Sequence, residues 1–281
     1  MTFSPVLTFN DGNTIPQLGY GVWQVEDDVA EKVVVQAFEA GFRHIDTAKI
    51  YGNEAGVGRA IERSGLKPEE IFITTKLWNA DQGYESTLKA FEESMERLGL
   101  ETLDMYLIHW MQPKQDKYVD TWKALIELQK QGRVKTIGVS NFTKEGLQRL
   151  IDETGVVPAI NQIELHPFFN QAELREFHAS KGILTQAWSP LGQGGELLES
   201  AVIGQIAAKH NATPAQVVIA WHLAVGNVVI PKSVTESRIR ENYAALDVSL
   251  DETDVQAING LDNSAEGAGR IGPDPAVSDF A

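Results

Sequence analysis

The sequence predicts an α/β protein: a (β/α)8 TIM barrel forming one domain over residues 1–281. Three observations predict it. Short runs rich in β-branched residues alternate with amphipathic stretches along the whole chain, which implies parallel strands joined by right-handed helical crossovers. The strand runs are apolar throughout rather than alternating, as expected of strands covered on both faces. About eight such units follow one another without a break in composition, and that number favours a closed barrel over an open sheet.

The chain opens with Leu7 to Pro16, where Asn10-Asp11-Gly12-Asn13 supplies a turn between two extended pieces. A β-hairpin ahead of the barrel is expected there. Strands are expected at Leu18–Val22, Arg43–Ala48, Ile71–Leu77, Leu103–His109, Val134–Ser140, Ala159–Glu164, Leu184–Ser189 and Val228–Lys232. Between them, apolar residues recur at helical spacing, as in Val29-Val33-Ala37 and Leu147-Leu150-Ile151. Gly41, Gly65, Gly99 and Gly132 fall where helices should stop, and Thr213-Pro214 reads as an N-cap with Pro at the first helical position. After Asn263 the periodicity is lost and Gly and Pro accumulate. This stretch is expected to form a tail over the barrel mouth.

A formal net charge of −15 leaves no basic footprint for a phosphate backbone, so no nucleic-acid partner is expected. No apolar run is long enough to cross a bilayer, and the first ten residues lack the basic head of a secretion signal. A cytoplasmic monomer with no membrane partner is therefore expected. The absence of cysteine excludes disulfides, thiolate metal sites and a cysteine nucleophile. The sequons Asn141-Phe142-Thr143 and Asn211-Ala212-Thr213 carry little meaning without a secretion signal.

In a parallel barrel the reactive residues gather at the C-terminal ends of the strands. Asp46, Tyr51, Lys76 and His109 fall at or just past the ends of three consecutive strands. Singly, each has a structural explanation: a helix cap, a packed ring, a solvent-facing amine, a satisfied imidazole. Together they suit reduction of a carbonyl, which needs a proton donor at the developing alkoxide. A cation such as Lys76 stabilises a phenolate and lowers the ordinary tyrosine pKa of about 10. Asp46 would hold Lys76, and His109 would orient the carbonyl oxygen.

The segments Asp46-Thr47-Ala48-Lys49-Ile50-Tyr51-Gly52-Asn53-Glu54, Lys76 at its strand end, and Leu107-Ile108-His109-Trp110 resemble the aldo-keto reductase family. So do Gly138-Val139-Ser140-Asn141-Phe142, Asn161-Gln162-Ile163-Glu164-Leu165-His166-Pro167 and Ile230-Pro231-Lys232-Ser233, in the family's order. Within the family the sequence looks most like the bacterial 2,5-diketo-D-gluconate reductases. The resemblance implies a catalytic tetrad of Asp46, Tyr51, Lys76 and His109 and NADPH as cofactor. It implies that Ser140, Asn141 and Gln162 hold the nicotinamide amide, which stacks on Trp188. Ser189, Leu191, Gly192 and Gln193 would line the pyrophosphate. Lys232, Ser233 and Arg238 would take the 2′-phosphate, with Glu241 and Asn242 near the adenine. Trp23, Ile50, Trp78 and Trp110 would form an apolar pocket for aldehydes, dicarbonyls and keto-sugar acids. No metal is expected, because hydride and proton donors are both accounted for.

Two departures stand out. His109-Trp110 is followed by Met111-Gln112-Pro113 where the family often has proline directly, and Lys49 takes a place usually uncharged. Lys49 is a candidate partner for a substrate carboxylate. Gly267-Ala268-Gly269-Arg270-Ile271-Gly272 fits the dinucleotide spacing G-x-G-x-x-G, but no strand precedes it and prolines follow, so the match is read as accidental. A serine hydrolase is disfavoured because Gly138-Val139-Ser140-Asn141-Phe142 lacks the second glycine of a nucleophile elbow. A non-catalytic cofactor-binding barrel is disfavoured by the complete tetrad. A metal-dependent hydrolase is disfavoured because the histidines are scattered.

Overall fold

The computed structural model describes residues 2–264 and 268–280. Two short antiparallel strands, β1 (Val6–Thr8) and β2 (Thr14–Pro16), form the expected hairpin. Then come eight parallel strands: β3 (Tyr20–Gly21), β4 (His44–Asp46), β5 (Phe72–Leu77), β6 (Leu103–Ile108), β7 (Val134–Ser140), β8 (Ile160–Glu164), β9 (Leu184–Trp188) and β10 (Val228–Val229). They pair in sequence order, with Asp46 opposite Thr74 and Lys76 opposite Leu107. Backbone bonds between the first and last strands close the ring. The Gly19 N–H donates to the Val229 carbonyl at 2.8 Å, and the Val229 N–H donates to the Gln17 carbonyl at 2.9 Å. Closure removes the free sheet edges that would otherwise template aggregation.

These two strands are shorter than the sequence predicts. The residue after Ile230 is Pro231, which has no N–H to extend the ladder. Its carbonyl still accepts from the Gly21 N–H at 3.3 Å.

The helices are α1 (Asp27–Ala40), α2 (Glu54–Ser64), α3 (Tyr84–Leu98), α4 (Tyr118–Lys130), α5 (Lys144–Thr154), α6 (Ala172–Lys181), α7 (Glu196–Glu199), α8 (Ala201–His210), α9 (Pro214–Ala224), α10 (Glu236–Tyr243) and α11 (Glu252–Asn259). Helices α1, α2 and α3 end on Gly41, Gly65 and Gly99 in left-handed conformation, while α4 ends at Gln131 just before Gly132. At α9, Thr213 accepts from the Gln216 N–H and the Gln216 side chain returns to the Thr213 N–H, a reciprocal cap.

The hairpin plugs the lower end of the barrel. Phe9 and Ile15 pack against Phe72, Met105, Leu107, Ile160 and Val228. The floor of the barrel is thus sealed by apolar side chains. Among the described residues no helix is long and apolar enough to cross a membrane.

Candidate active site

A cavity of about 1410 Å³ opens at the C-terminal ends of the strands. This exceeds the roughly 300–1,000 Å³ of a pocket for one small ligand. Tyr51 and His109 line it together with Trp188, Lys232 and Arg238. It therefore joins the residues expected for catalysis to those expected for a dinucleotide.

Asp46 is the last residue of β4, and Tyr51 ends the single 3-10 turn Lys49–Tyr51 that follows. Lys76 lies on β5, fully buried behind the cavity wall rather than lining it. An ammonium has three protons to place. Here the Lys76 Nζ donates to Asp46 Oδ1 at 2.5 Å, the Thr47 carbonyl at 2.8 Å and the Tyr51 hydroxyl at 3.4 Å. The second oxygen of Asp46 accepts from Gln162 Nε2 at 2.7 Å. His109 follows β6, with its ring 5.6 Å from the Tyr51 ring and 5.3 Å from the Trp78 ring.

Burial sets the charges at this site. It is the largest single effect on the Lys76 ammonium and works against it, but Asp46 and Tyr51 together hold the Lys76 pKa above its ordinary value. Burial, and then the positive charge of Lys76, push His109 well below its ordinary pKa. The imidazole is therefore neutral, and among the described residues neither ring nitrogen has a hydrogen-bond partner. For Tyr51 the net direction differs from the sequence expectation. Burial raises its pKa, and Lys76 only partly offsets that rise. Tyr51 thus stays protonated at neutral pH.

Most residues expected at the dinucleotide line the cavity: Asn141, Gln162, Trp188, Ser189, Leu191, Gln193, Lys232, Ser233, Arg238, Glu241 and Asn242. Ser140 and Gly192 do not. Ser140 sits behind, donating to the Gln162 carbonyl at 2.9 Å and accepting from Asn141 Nδ2 at 3.0 Å. The Trp188 indole donates to Asn141 Oδ1 at 2.8 Å, which fixes its plane.

The residues present fit a phosphorylated dinucleotide. The loop after β9 turns through left-handed residues at Ser189, Gly192, Gln193, Gly194 and Gly195, a backbone of the kind that converges N–H groups on an anion. Among the described residues, Lys232 and Arg238 are the only Lys or Arg side chains lining the cavity, and neither has a carboxylate partner.

Residues 16–263 match the model of the Aldo/keto reductase family. The chain belongs to that family. It is 54% identical to an aldo-keto reductase of Mycolicibacterium smegmatis, with 99% of each chain covered. It is 51% identical to a protein of Salmonella typhimurium named methylglyoxal reductase DkgA, with 96% of each chain covered. Among solved structures, a variant of Gox0644 in complex with NADPH superposes with a TM-score of 0.94 at 52% identity, over 99% of this chain and 100% of that one. The chain is an NADPH-dependent oxidoreductase that reduces small carbonyl compounds.

In this aldo-keto reductase the four expected wall residues all line the cavity. Trp23 and Ile50 are 44% and 47% exposed and form the rim, whereas Trp110 is buried. Phe280, from the far end of the tail, also lines the cavity, and nothing in the local sequence marks it for that place. Its ring lies 6.0 Å from Trp78 and 4.9 Å from Trp110, and its carbonyl accepts from Asn79 Nδ2 at 2.9 Å. The tail thus closes one side of the mouth, as expected.

Lys49 is a correction. Its Nζ is paired with Asp81 at 2.9 Å and Glu93 at 3.2 Å, and it does not line the cavity. The amine pins the Tyr51 turn to the segment below Trp78 instead of meeting a ligand. The Met111-Gln112 departure also has a structural outcome: Met111 packs its sulfur onto Gly146 of α5, where any Cβ would overlap it.

Proposed function

We propose that Tyr51 delivers the proton to the carbonyl oxygen, with Lys76 and Asp46 behind it and His109 orienting the substrate. The observation that carries this is the Tyr51 hydroxyl 3.4 Å from the Lys76 ammonium, on the cavity wall beside a neutral imidazole. NADPH, when bound, supplies the hydride to the carbonyl carbon. Everything else is the work of this chain's own groups.

As charge develops on the carbonyl oxygen, the nearest acid is the Tyr51 phenol, protonated because burial raises its pKa. The phenolate left behind is then stabilised by the buried Lys76 ammonium. Lys76 can carry that charge because Asp46 compensates it, and Asp46 is held by Gln162. His109 is neutral and so donates a hydrogen bond without competing as an acid. Trp78, Trp110 and Phe280 exclude water from the apolar side of the substrate.

Asn141, Gln162 and Trp188 are proposed to hold the nicotinamide, the loop after β9 the pyrophosphate, and Lys232 with Arg238 the 2′-phosphate. A phosphate monoester needs paired donors, and an arginine fork supplies them in one plane.

The proposed substrates are neutral dicarbonyls of the methylglyoxal type and aromatic aldehydes, with keto-sugar acids such as 2,5-diketo-D-gluconate as weaker ones. The aromatic wall suits apolar carbonyls, and Lys49 is already neutralised by Asp81 and Glu93. A buried carboxylate without a partner is costly. The test is NADPH oxidation with methylglyoxal, an aromatic aldehyde and 2,5-diketo-D-gluconate. The proposal expects higher kcat/KM for the first two; a clear preference for the sugar acid counts against it.

A further inference from the structure

Four consecutive tail residues dock where β8 and β9 end: Gly269 and Arg270 on the loop after β8, Ile271 and Gly272 on Glu164 at the end of β8. A Cβ on Gly269 would overlap the Phe168 carbonyl, and the Gly269 φ of +87° is left-handed. The Arg270 guanidinium lies 4.6 Å over the Phe169 ring. The N–H groups of Ile271 and Gly272 donate to the two carboxylate oxygens of Glu164 at 2.6 Å and 2.8 Å. A Cβ on Gly272 would overlap the Trp188 ring. The glycine spacing that mimics a dinucleotide fingerprint is thus explained at Gly269 and Gly272 by close approach; Gly267 lies outside the described residues.

Glu164 is buried at the end of β8, two residues beyond Gln162. Its remaining side-chain partner is His166 Nε2 at 3.1 Å, and no Lys or Arg pairs with it among the described residues. A buried carboxylate is costly unless bonded. Here two backbone amides of the tail supply most of that bonding, so Glu164 and the tail hold each other in place.

We propose that Glu164 is a positioning residue that latches segment 269–272 against Trp188, and that release of this latch opens the cofactor side of the cavity. The proposal rests on the reading that the nicotinamide stacks on Trp188. Ile271, Gly272 and Pro273 line the same cavity as Trp188, Asn141 and Gln162. A docked tail therefore walls the indole on the side where Gly272 touches it. A glutamine at 164 keeps the shape but offers one acceptor oxygen, and turns its NH2 toward a backbone N–H. One charge-assisted bond is lost and one contact becomes repulsive.

The test uses trypsin on the full chain without cofactor, because the Arg270–Ile271 bond lies inside the latched segment. Cleavage there follows the population of the opened tail. Glu164→Gln is expected to raise the cleavage rate after Arg270 by roughly ten- to a hundredfold, the scale of one charge-assisted bond. NADPH release, followed by stopped-flow fluorescence, is expected to speed up by a similar factor. Gly272→Ala attacks the same contact from the tail and is expected to give both changes, so the test survives if the buried substitution misfolds. Wild-type cleavage rates in both variants overturn the latch. Faster cleavage with unchanged NADPH release overturns the coupling to the cofactor side. Trp188→Ala with unchanged NADPH affinity overturns the stacking reading on which that coupling rests, whatever the cleavage rates.

Discussion

The side-chain amide of Gln162 on β8 donates to Asp46 on β4 at 2.7 Å, and through Asp46 it reaches the buried ammonium of Lys76. Both carboxylate oxygens of Asp46 are occupied, one by the charge it neutralises and one by the group that aims it. Gln162 also lines the cavity. Its two faces make separate, measurable claims.

If holding Asp46 is the larger role, Gln162→Met leaves a carboxylate oxygen buried without a donor. Loss of one hydrogen bond to a charged group costs about 1.5–3 kcal/mol, so kcat is expected to fall roughly ten- to a hundredfold. A rise in KM for NADPH with kcat intact would assign the amide to the cofactor alone.

Cofactor choice is expected to depend on Arg238. Replacing it with Met should raise KM for NADPH far more than for NADH, because only the former carries the 2′-phosphate. The measurement is a pair of saturation curves on one preparation. Equal changes for both cofactors would remove Arg238 from the phosphate site.

Lys49→Ala is expected to leave the ratio of kcat/KM for acidic and neutral substrates unchanged, since the amine is already paired with Asp81 and Glu93. A selective loss on acidic substrates would show that the lysine leaves those partners for the ligand.

Stability should fall on the acid side. Burial holds His44 and His222 at a pKa of about 3 and His178 at about 4 in the folded chain. Unfolded, each returns to about 6.5. The unfolded chain then binds more protons between these values, so the histidines' contribution to stability is full above about pH 6.5 and is lost as pH falls toward 3. Each histidine contributes a slope of at most about 1.4 kcal/mol per pH unit. Urea unfolding at pH 7, 6 and 5 checks this, and a flat midpoint across that range would contradict it.

The barrel was legible because its strands are short, apolar and bounded by turn and cap signals, as at Gly41 and Thr213-Pro214. The clustering of Asp46, Tyr51, Lys76 and His109 was legible because strand ends in a parallel barrel converge on one mouth. What escaped depended on contacts between distant segments. Phe280 belongs to a tail without periodicity, and nothing local marks it as a wall of the cavity. The Lys49 pairing needs α3, whose Glu93 is one of many acidic residues on helical surfaces. The Tyr51 pKa was misjudged because sequence shows the neighbouring cation but not the depth of burial, and burial is the larger effect.

Tyr51→Phe removes only the hydroxyl that faces Lys76 at 3.4 Å. The dissociation constant for NADPH should stay at its wild-type value, because the ring and the cavity wall are kept. Turnover with methylglyoxal is expected to fall by roughly 10²–10⁴-fold, the scale of lost general acid catalysis. A variant that binds NADPH normally and keeps near wild-type kcat would contradict the assignment of Tyr51 as the proton donor.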